Sequence, residues 1–338
     1  MNHATADSSK VKGAACLALA CLSVAGVACT GKYIRPTTTD RIVPTPELLE
    51  RGGYLVNSVM SCGACHTPRV GGTWLGGERA DAYLAGGGQK FDDPEGGFLI
   101  NVPNITPDPE TGLGRWTDDE ILRALRDGIH KDGSLMRPPM PFYMYDVLSD
   151  GDARAVVAYL RSVPPVRNPV ERTVKLPFML KVAMKMGMLH HQPVKDVQAP
   201  ARSDQKAYGA YLARIGLCVD CHSMTDRGPN LKDNLLGGSK VPLTERDYGK
   251  VWASNLTPDR ETGLGKHSAE QIKQALRSGK RLDGRPMAPP MSLVLPHIST
   301  WTDEDLETVI LFLRSVPAIA QRIPAPELTP QAKGSLGL

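Results

Sequence analysis

The sequence predicts an all-α fold built as two tandem copies of one helical unit, preceded by an export segment. Three observations point there. Residues 101–140 and 252–291 repeat at a constant offset of 151, so that NVPNITPDPETGLGRWTDDE is answered by WASNLTPDRETGLGKHSAEQ. Apolar residues recur at helical spacing, in Ala155, Val156, Tyr159 and Leu160 and again in Leu306, Val309, Ile310 and Leu313. No run alternates apolar and polar residues in the manner of a half-buried strand.

Each copy reads as helix, long loop, helix, loop, helix. The first helix, near 46–60 and 204–217, runs directly into a cysteine pair, and Tyr54-Leu55 in one copy matches Tyr211-Leu212 in the other. The second opens on a capping box, Thr117 with Glu120 and Ser268 with Gln271, whose side chains satisfy amides that a helix start leaves unbonded. The third is the apolar run that ends in LRSVP, at Leu160 to Pro164 and Leu313 to Pro317. The glycine-rich loop 71–100, with its triplet Gly86-Gly87-Gly88, reads as a surface excursion. The expected layout is 44–168, a connector over 169–202, 203–320, and a tail over 321–338.

Composition narrows the function classes. With 338 residues, 41% hydrophobic and 22% charged, the chain is globular and long enough for two small domains. Only 5% of residues are aromatic, against 33 glycines and 28 prolines, so few large rings are available to fill two cores, which suggests a filler other than side chains. A net charge of +4 without an aromatic-interleaved basic stripe argues against nucleic acid as a partner.

Lys10 and Lys12 precede an uncharged run from Gly13 to Gly31. This reads as a secretory signal over 1–28, with small residues at Gly26, Val27 and Ala28. Two alternatives stay open: an uncleaved anchor, since the run is only slightly short of a membrane span, and a lipoprotein signal with Cys29 lipidated. In the lipoprotein reading Gly26 stands where a lipobox usually has Leu. All three place the rest of the chain outside the cytoplasm, with membrane attachment in two of them.

Of seven cysteines, Cys16, Cys21 and Cys29 fall in that leader, while Cys62, Cys65, Cys218 and Cys221 form two spaced pairs, each followed by histidine. A CxxCH motif attaches haem c: its two thiols add to the porphyrin vinyl groups and the adjacent imidazole is set beneath the iron. The competing reading, a redox dithiol or half a zinc site, lacks a second zinc-binding pair nearby within either repeat. His66 and His222 are therefore the expected proximal ligands of two haem c groups. A soft distal ligand is offered twice, by Met140 and Met291 in their proline-stiffened loops. Met136 and Met287 repeat at the same offset, so spacing alone leaves both pairs open.

The exported part resembles the di-haem cytochromes c that serve as electron-transfer subunits or partners of periplasmic dehydrogenases, including the cytochrome subunits of membrane-bound alcohol and sugar-acid dehydrogenases. NITPDPETGLGRWTDDE, DGSLMRPPMP, NLTPDRETGLG, DGRPMAPPM and the two CxxCH motifs carry the likeness. It implies two tandem cytochrome c domains with one covalent haem each, and the methionine after the proline pair as ligand: Met140 and Met291, with Met136 and Met287 as packing residues. It implies a periplasmic carrier of single electrons, not an enzyme, with a periplasmic or membrane-bound dehydrogenase as donor and a cytochrome or terminal oxidase as acceptor. Segment 175–193 resembles the family connector, which makes His190 and His191 connector residues. Tri-haem dehydrogenase subunits carry a third CxxCH, and none follows Cys221 in this sequence. The family aromatic at Trp116 is replaced in the second copy by His267, read as a polar, partly exposed substitute. The rival function is a di-haem peroxidase, which needs one iron with an open position, whereas a methionine is matched in both copies.

Overall fold

Both copies of the repeat fold into the same succession of helices in a computed structural model, which describes residues 36–87, 90–93, 98–136, 139–171 and 196–338, with Val174, Lys175, Phe178 and Val182 between. The leader, Cys29 and most of the connector, including His190 and His191, lie outside the described residues. In the first copy, α1 (Pro46–Tyr54) starts on a Thr45 cap with proline in its first turn and continues as a wider π turn over Leu55–Val59. Ser61, at φ +50°, then redirects the chain into α2 (Cys62–His66). Strands β1 (Lys90–Asp93) and β2 (Phe98–Asn101) follow, then α3 (Asp118–Asp127), a 3-10 run over Phe142–Val147, α4 (Asp150–Ser162) and β3 (Val174–Lys175). In the second copy α5 (Gln205–Ile215) leads through Leu217, at φ +63° in the place of Ser61, into α6 (Cys218–Cys221). Short pairs β4 (Met224–Thr225) with β5 (Gly228–Pro229) and β6 (Leu243–Glu245) with β7 (Gly249–Val251) precede α7 (Ala269–Ser278), α8 (Met291–Ile298) and α9 (Asp303–Ser315). The chain ends with β8 (Glu327–Leu328) and α10 (Pro330–Leu336).

Both expected capping boxes are formed, and α3 and α7 each close on a left-handed glycine, Gly128 and Gly279. The all-α expectation needs one correction. The fold is helix-rich but carries two three-stranded antiparallel sheets, ordered β1-β2-β3 and β6-β7-β8, besides the β4-β5 pair. The described strands are two to four residues long, too short to show an alternating pattern.

Helix crossings repeat between the copies. A Cβ at Gly52 would lie 2.0 Å from the Ala155 carbonyl oxygen, and one at Gly209 would lie 2.2 Å from that of Thr308, so glycine is required where α1 crosses α4 and where α5 crosses α9. One apolar cluster runs through both copies, joining Leu55, Leu84, Leu148 and Val156 to Leu212, Ile215, Leu236 and Leu306. Each fully buried leucine contributes about 2 kcal/mol by leaving water. Residues 37–338 form one contact unit.

The copies also trade polar groups. The Tyr54 hydroxyl donates to Asp305 (2.7 Å) and accepts from the Thr302 amide (3.2 Å), while the Tyr211 hydroxyl donates to Asp152 (2.6 Å) and accepts from the Ser149 amide (3.3 Å). Each tyrosine thereby completes the N-terminus of the other copy's third helix. Arg51 and Arg202 neutralise the two carboxylates, Arg51 through a two-pronged contact with Asp152 at 2.8 Å and Arg202 through Asp305 at 3.1 Å.

Candidate functional site

Both histidines of the CxxCH motifs are oriented in the same way. His66, buried at the end of α2, donates from Nδ1 to the Pro103 carbonyl at 2.9 Å, and His222 donates from Nδ1 to the Ser254 carbonyl at 2.6 Å. Pro103 and Ser254 are equivalent positions at the 151-residue offset. Burial pushes both imidazoles below their ordinary pKa, with the carbonyl contact opposing it, so each ring is neutral. With Nδ1 holding the proton, the Nε2 lone pair is left for a metal. Burial also pushes the thiols up, Cys62 to about 12 and Cys65 and Cys218 to about 11. Among the described residues no cluster of three or more His, Cys, Asp or Glu side chains could hold a bare metal ion.

The repeated NITPDPETG and NLTPDRETG segments build the support beneath these carbonyls. Asn104 donates to the Thr111 hydroxyl (3.0 Å) and the Val166 carbonyl (2.8 Å) and accepts from the Thr106 amide and hydroxyl (2.9 and 2.8 Å). Asn255 makes the same four bonds, to Thr262, Ile319 and Thr257, between 2.7 and 3.0 Å. The loop is thus fastened to the chain leaving the third helix, one residue beyond the acceptor of the imidazole. Asp108 and Asp259 each gather the amide and hydroxyl of the following threonine, and those hydrogen bonds hold the carboxyls below their ordinary range.

The glycine-rich loop departs from its expected place. Leu84, Ala85 and Gly86 are buried, and the Gly86 amide donates to the His66 carbonyl at 2.7 Å. Gly238 does the same to His222 at 2.8 Å. Both have positive φ, and a Cβ at Gly86 would fall 2.4 Å from the Asn104 amide nitrogen. Just before each, a buried leucine is held left-handed, Leu84 at φ +59° and Leu236 at φ +60°, its amide bonded to the hydroxyl after the motif, Thr67 or Ser223. The middle of the loop, Leu84–Gly86, is therefore part of the site, while residues such as Gly71 and Gly72 near its start are exposed. Sequence reasoning passed over Thr67 and Ser223, although a small hydroxyl residue directly after both CxxCH motifs was the available signal.

Met140 and Met291 pack against the apolar cluster shared by the copies. Met136 and Met287 are fixed by their backbone amides to the carbonyls of Gly128 and Gly279. His267 is half-buried, and its backbone carbonyl accepts from Arg314 at 2.8 Å, as that of Trp116 accepts from Arg161.

Residues 50–164 match the cytochrome c family model. The chain is 29% identical over 308 residues to the fructose dehydrogenase cytochrome subunit of Gluconobacter japonicus, covering 89% of this chain and 58% of that one. It is 31% identical over 282 residues to the cytochrome c subunit of the quinone alcohol dehydrogenase of Gluconobacter oxydans, covering 81% and 56%. The chain carries a cytochrome c domain. A third relative, a diheme cytochrome c-type protein of Cereibacter sphaeroides, is 29% identical over 265 residues, covering 76% of this cytochrome and 82% of the relative. The cytochrome spans little more than half the length of the two dehydrogenase subunits. A cytochrome c domain implies covalent haem c with iron. The donor set fits that group: paired thiols, an imidazole with its Nε2 free, and in each copy a methionine following a proline pair. Among the described residues no helix is long and apolar enough to cross a membrane.

Proposed function

We propose that this cytochrome is a di-haem electron carrier that accepts electrons from a periplasmic or membrane-bound dehydrogenase and passes them singly to a cytochrome or terminal oxidase. The observation that carries the second haem is the duplicated setting of the motif histidine, with Pro103 and Ser254 as equivalent acceptors. Cys62 and Cys65 hold one group and Cys218 and Cys221 the other. His66 and His222 are the proximal ligands, Met140 and Met291 the distal ones. Segments 44–168 and 203–320 are the two haem-binding domains, joined by 169–202 and exported to the periplasm by the leader. Haem iron supplies a centre that changes by one electron without making or breaking bonds in the protein, and a His/Met ligand pair raises its potential. The chain's own residues fix the imidazole tautomer, exclude water from one side of each site and hold the methionine loop in place.

The names of the two dehydrogenase subunits support a dehydrogenase as donor, and their greater length leaves the particular donor to be identified. Intact mass of the exported protein, with haem staining after denaturation, should show two covalently attached haems. A single haem, or loss of stain on denaturation, would falsify the di-haem reading.

A further inference from the structure

Each methionine loop is fastened to the other copy's haem-binding motif. Three residues after Met140, the Tyr143 hydroxyl donates to Asp220 at 3.1 Å, and Asp220 is a buried residue between Cys218 and Cys221. From the same run, Asp146 accepts from Arg214 of α5 at 2.6 Å. The reverse connection starts from α8, whose first residue is Met291. Near its end the buried His297 donates from Nδ1 to the Asn57 carbonyl (2.7 Å) and meets Glu78 through Nε2 (2.9 Å). Glu78 in turn accepts from Arg69 (3.2 Å), which donates to the Ala64 carbonyl between Cys62 and Cys65 (3.1 Å). His297 also crowds the motif directly, since a Cβ at Gly63 would lie 3.1 Å from its Cε1.

The two connections share one crossing, since in the register that pairs Tyr54 with Tyr211 the partners Arg214 and Asn57 are matching positions, but they differ in their side chains. The position matching Asp220 is Ala64, and the position matching His297 is Asp146. Different side chains therefore hold the two distal segments at this crossing, and it is the bond of Tyr143 to Asp220 and the bonds of His297 through Glu78 and Arg69 that reach the two haem-binding motifs. A buried carboxylate or imidazole–carboxylate pair at a haem motif acts on the iron through a low-dielectric medium, and a bond that also pins the methionine segment ties that influence to ligand position.

We infer that Tyr143 and His297 are positioning residues that make the two haem sites interdependent, each holding the distal segment of its own copy against the motif of the other. This rests on the assignment of Met140 and Met291 as distal ligands. The change at one site then alters the other, a reciprocal coupling that linkage requires to be equal in both directions.

The test uses the full-length haem-loaded protein with one methionine site silenced at a time. In Met140→His the surviving near-red methionine–iron absorbance reports Met291, and in Met291→His it reports Met140. Tyr143→Phe is added to the first and His297→Gln to the second. In each case the surviving site, which belongs to the other copy, should shift by at least about threefold in its oxidised-to-reduced ratio at fixed potential, roughly 28 mV for one electron. A smaller shift at either surviving site overturns the coupling through that residue. A cycle with Asp220→Asn guards against misfolding: the Tyr143→Phe effect should disappear in that background, and additive effects overturn the bridge. If either methionine-to-histidine change leaves the near-red absorbance whole, the ligand assignment has failed and the coupling falls with it.

Discussion

Replacing Asn104 by alanine tests the reading that the repeated NITPD segment is structural support for the proximal histidine. The side chain is 4% exposed and makes four hydrogen bonds to Thr106, Thr111 and Val166. Alanine removes all four bonds; the Val166 carbonyl and the two threonine hydroxyls keep other partners, whereas the buried Thr106 amide loses the acceptor it has. At about 1 kcal/mol for each bond lost, the cost should be about 3–4 kcal/mol, a large part of the roughly 5–15 kcal/mol that holds a protein folded. Asn255→Ala removes the same bonds in the second copy and should cost the same to within about 1 kcal/mol. Guanidinium unfolding of the haem-loaded protein, followed by far-ultraviolet circular dichroism and haem absorbance together, measures both. Because Pro103 and Ser254 adjoin the two asparagines, each variant should disturb the spectrum of one haem only. A loss below about 1 kcal/mol in either variant, or spectra that change at both haems equally, would refute the reasoning.

Three more outcomes are expected. Met140→Ala and Met291→Ala should each abolish the near-red absorbance of one haem and lower its potential, whereas Met136→Leu and Met287→Leu should leave both spectra unchanged; redox titration with optical detection decides. Glu245 is raised from 4.5 to about 7 by burial, with Asp247 and Asp92 adding to it, so its contribution to stability is fully present below about pH 4.5 and is lost as the pH rises through 7. Glu245→Gln should therefore be more stable than the parent at pH 8 by about 2 kcal/mol, allowing for solvent screening, and the difference should close near pH 4.5 in melts taken across that window. Protein reduced to half its haems should show negligible peroxide turnover in a stopped-flow assay, and efficient turnover by that form would favour the peroxidase reading.

The parts of this fold that were legible in the sequence are those whose cause is local. The capping boxes at Thr117 and Ser268, the two CxxCH motifs and the apolar stripe of α4 and α9 each announce themselves within a few residues. The strands do not, because segments such as Val174–Lys175 owe their state to a partner far along the chain rather than to any pattern of their own. The acceptors of the two imidazoles were equally hidden. They are backbone carbonyls, and Pro103 and Ser254 share no side-chain chemistry that could have marked them. Tyr54 and Tyr211 were visible as a matched pair, but a match within a repeat gives no sign that each hydroxyl is spent on the opposite copy. Asp220 was the one open clue to that exchange, an acidic residue placed between two cysteines and itself buried.

The tyrosine exchange has a consequence for how the chain comes to be folded. Tyr54 must find Asp305 across 251 residues, and Ser58 must find Trp301 across 243. Closing a loop of that size costs chain entropy before any contact rewards it, and such long-range order makes folding slow. If the chain is exported from its N-terminus, as proposed, α1 and the first cysteine pair are delivered before α9. During that interval α1 lacks its final partner and the site around Cys62 and Cys65 stays open to the machinery that must reach it. The same contacts that lock the mature protein would thus leave the first attachment site accessible until the second copy is made; a chain ending before Asp305 would strand the Tyr54 hydroxyl, and one ending before Tyr211 the Ser149 amide as well.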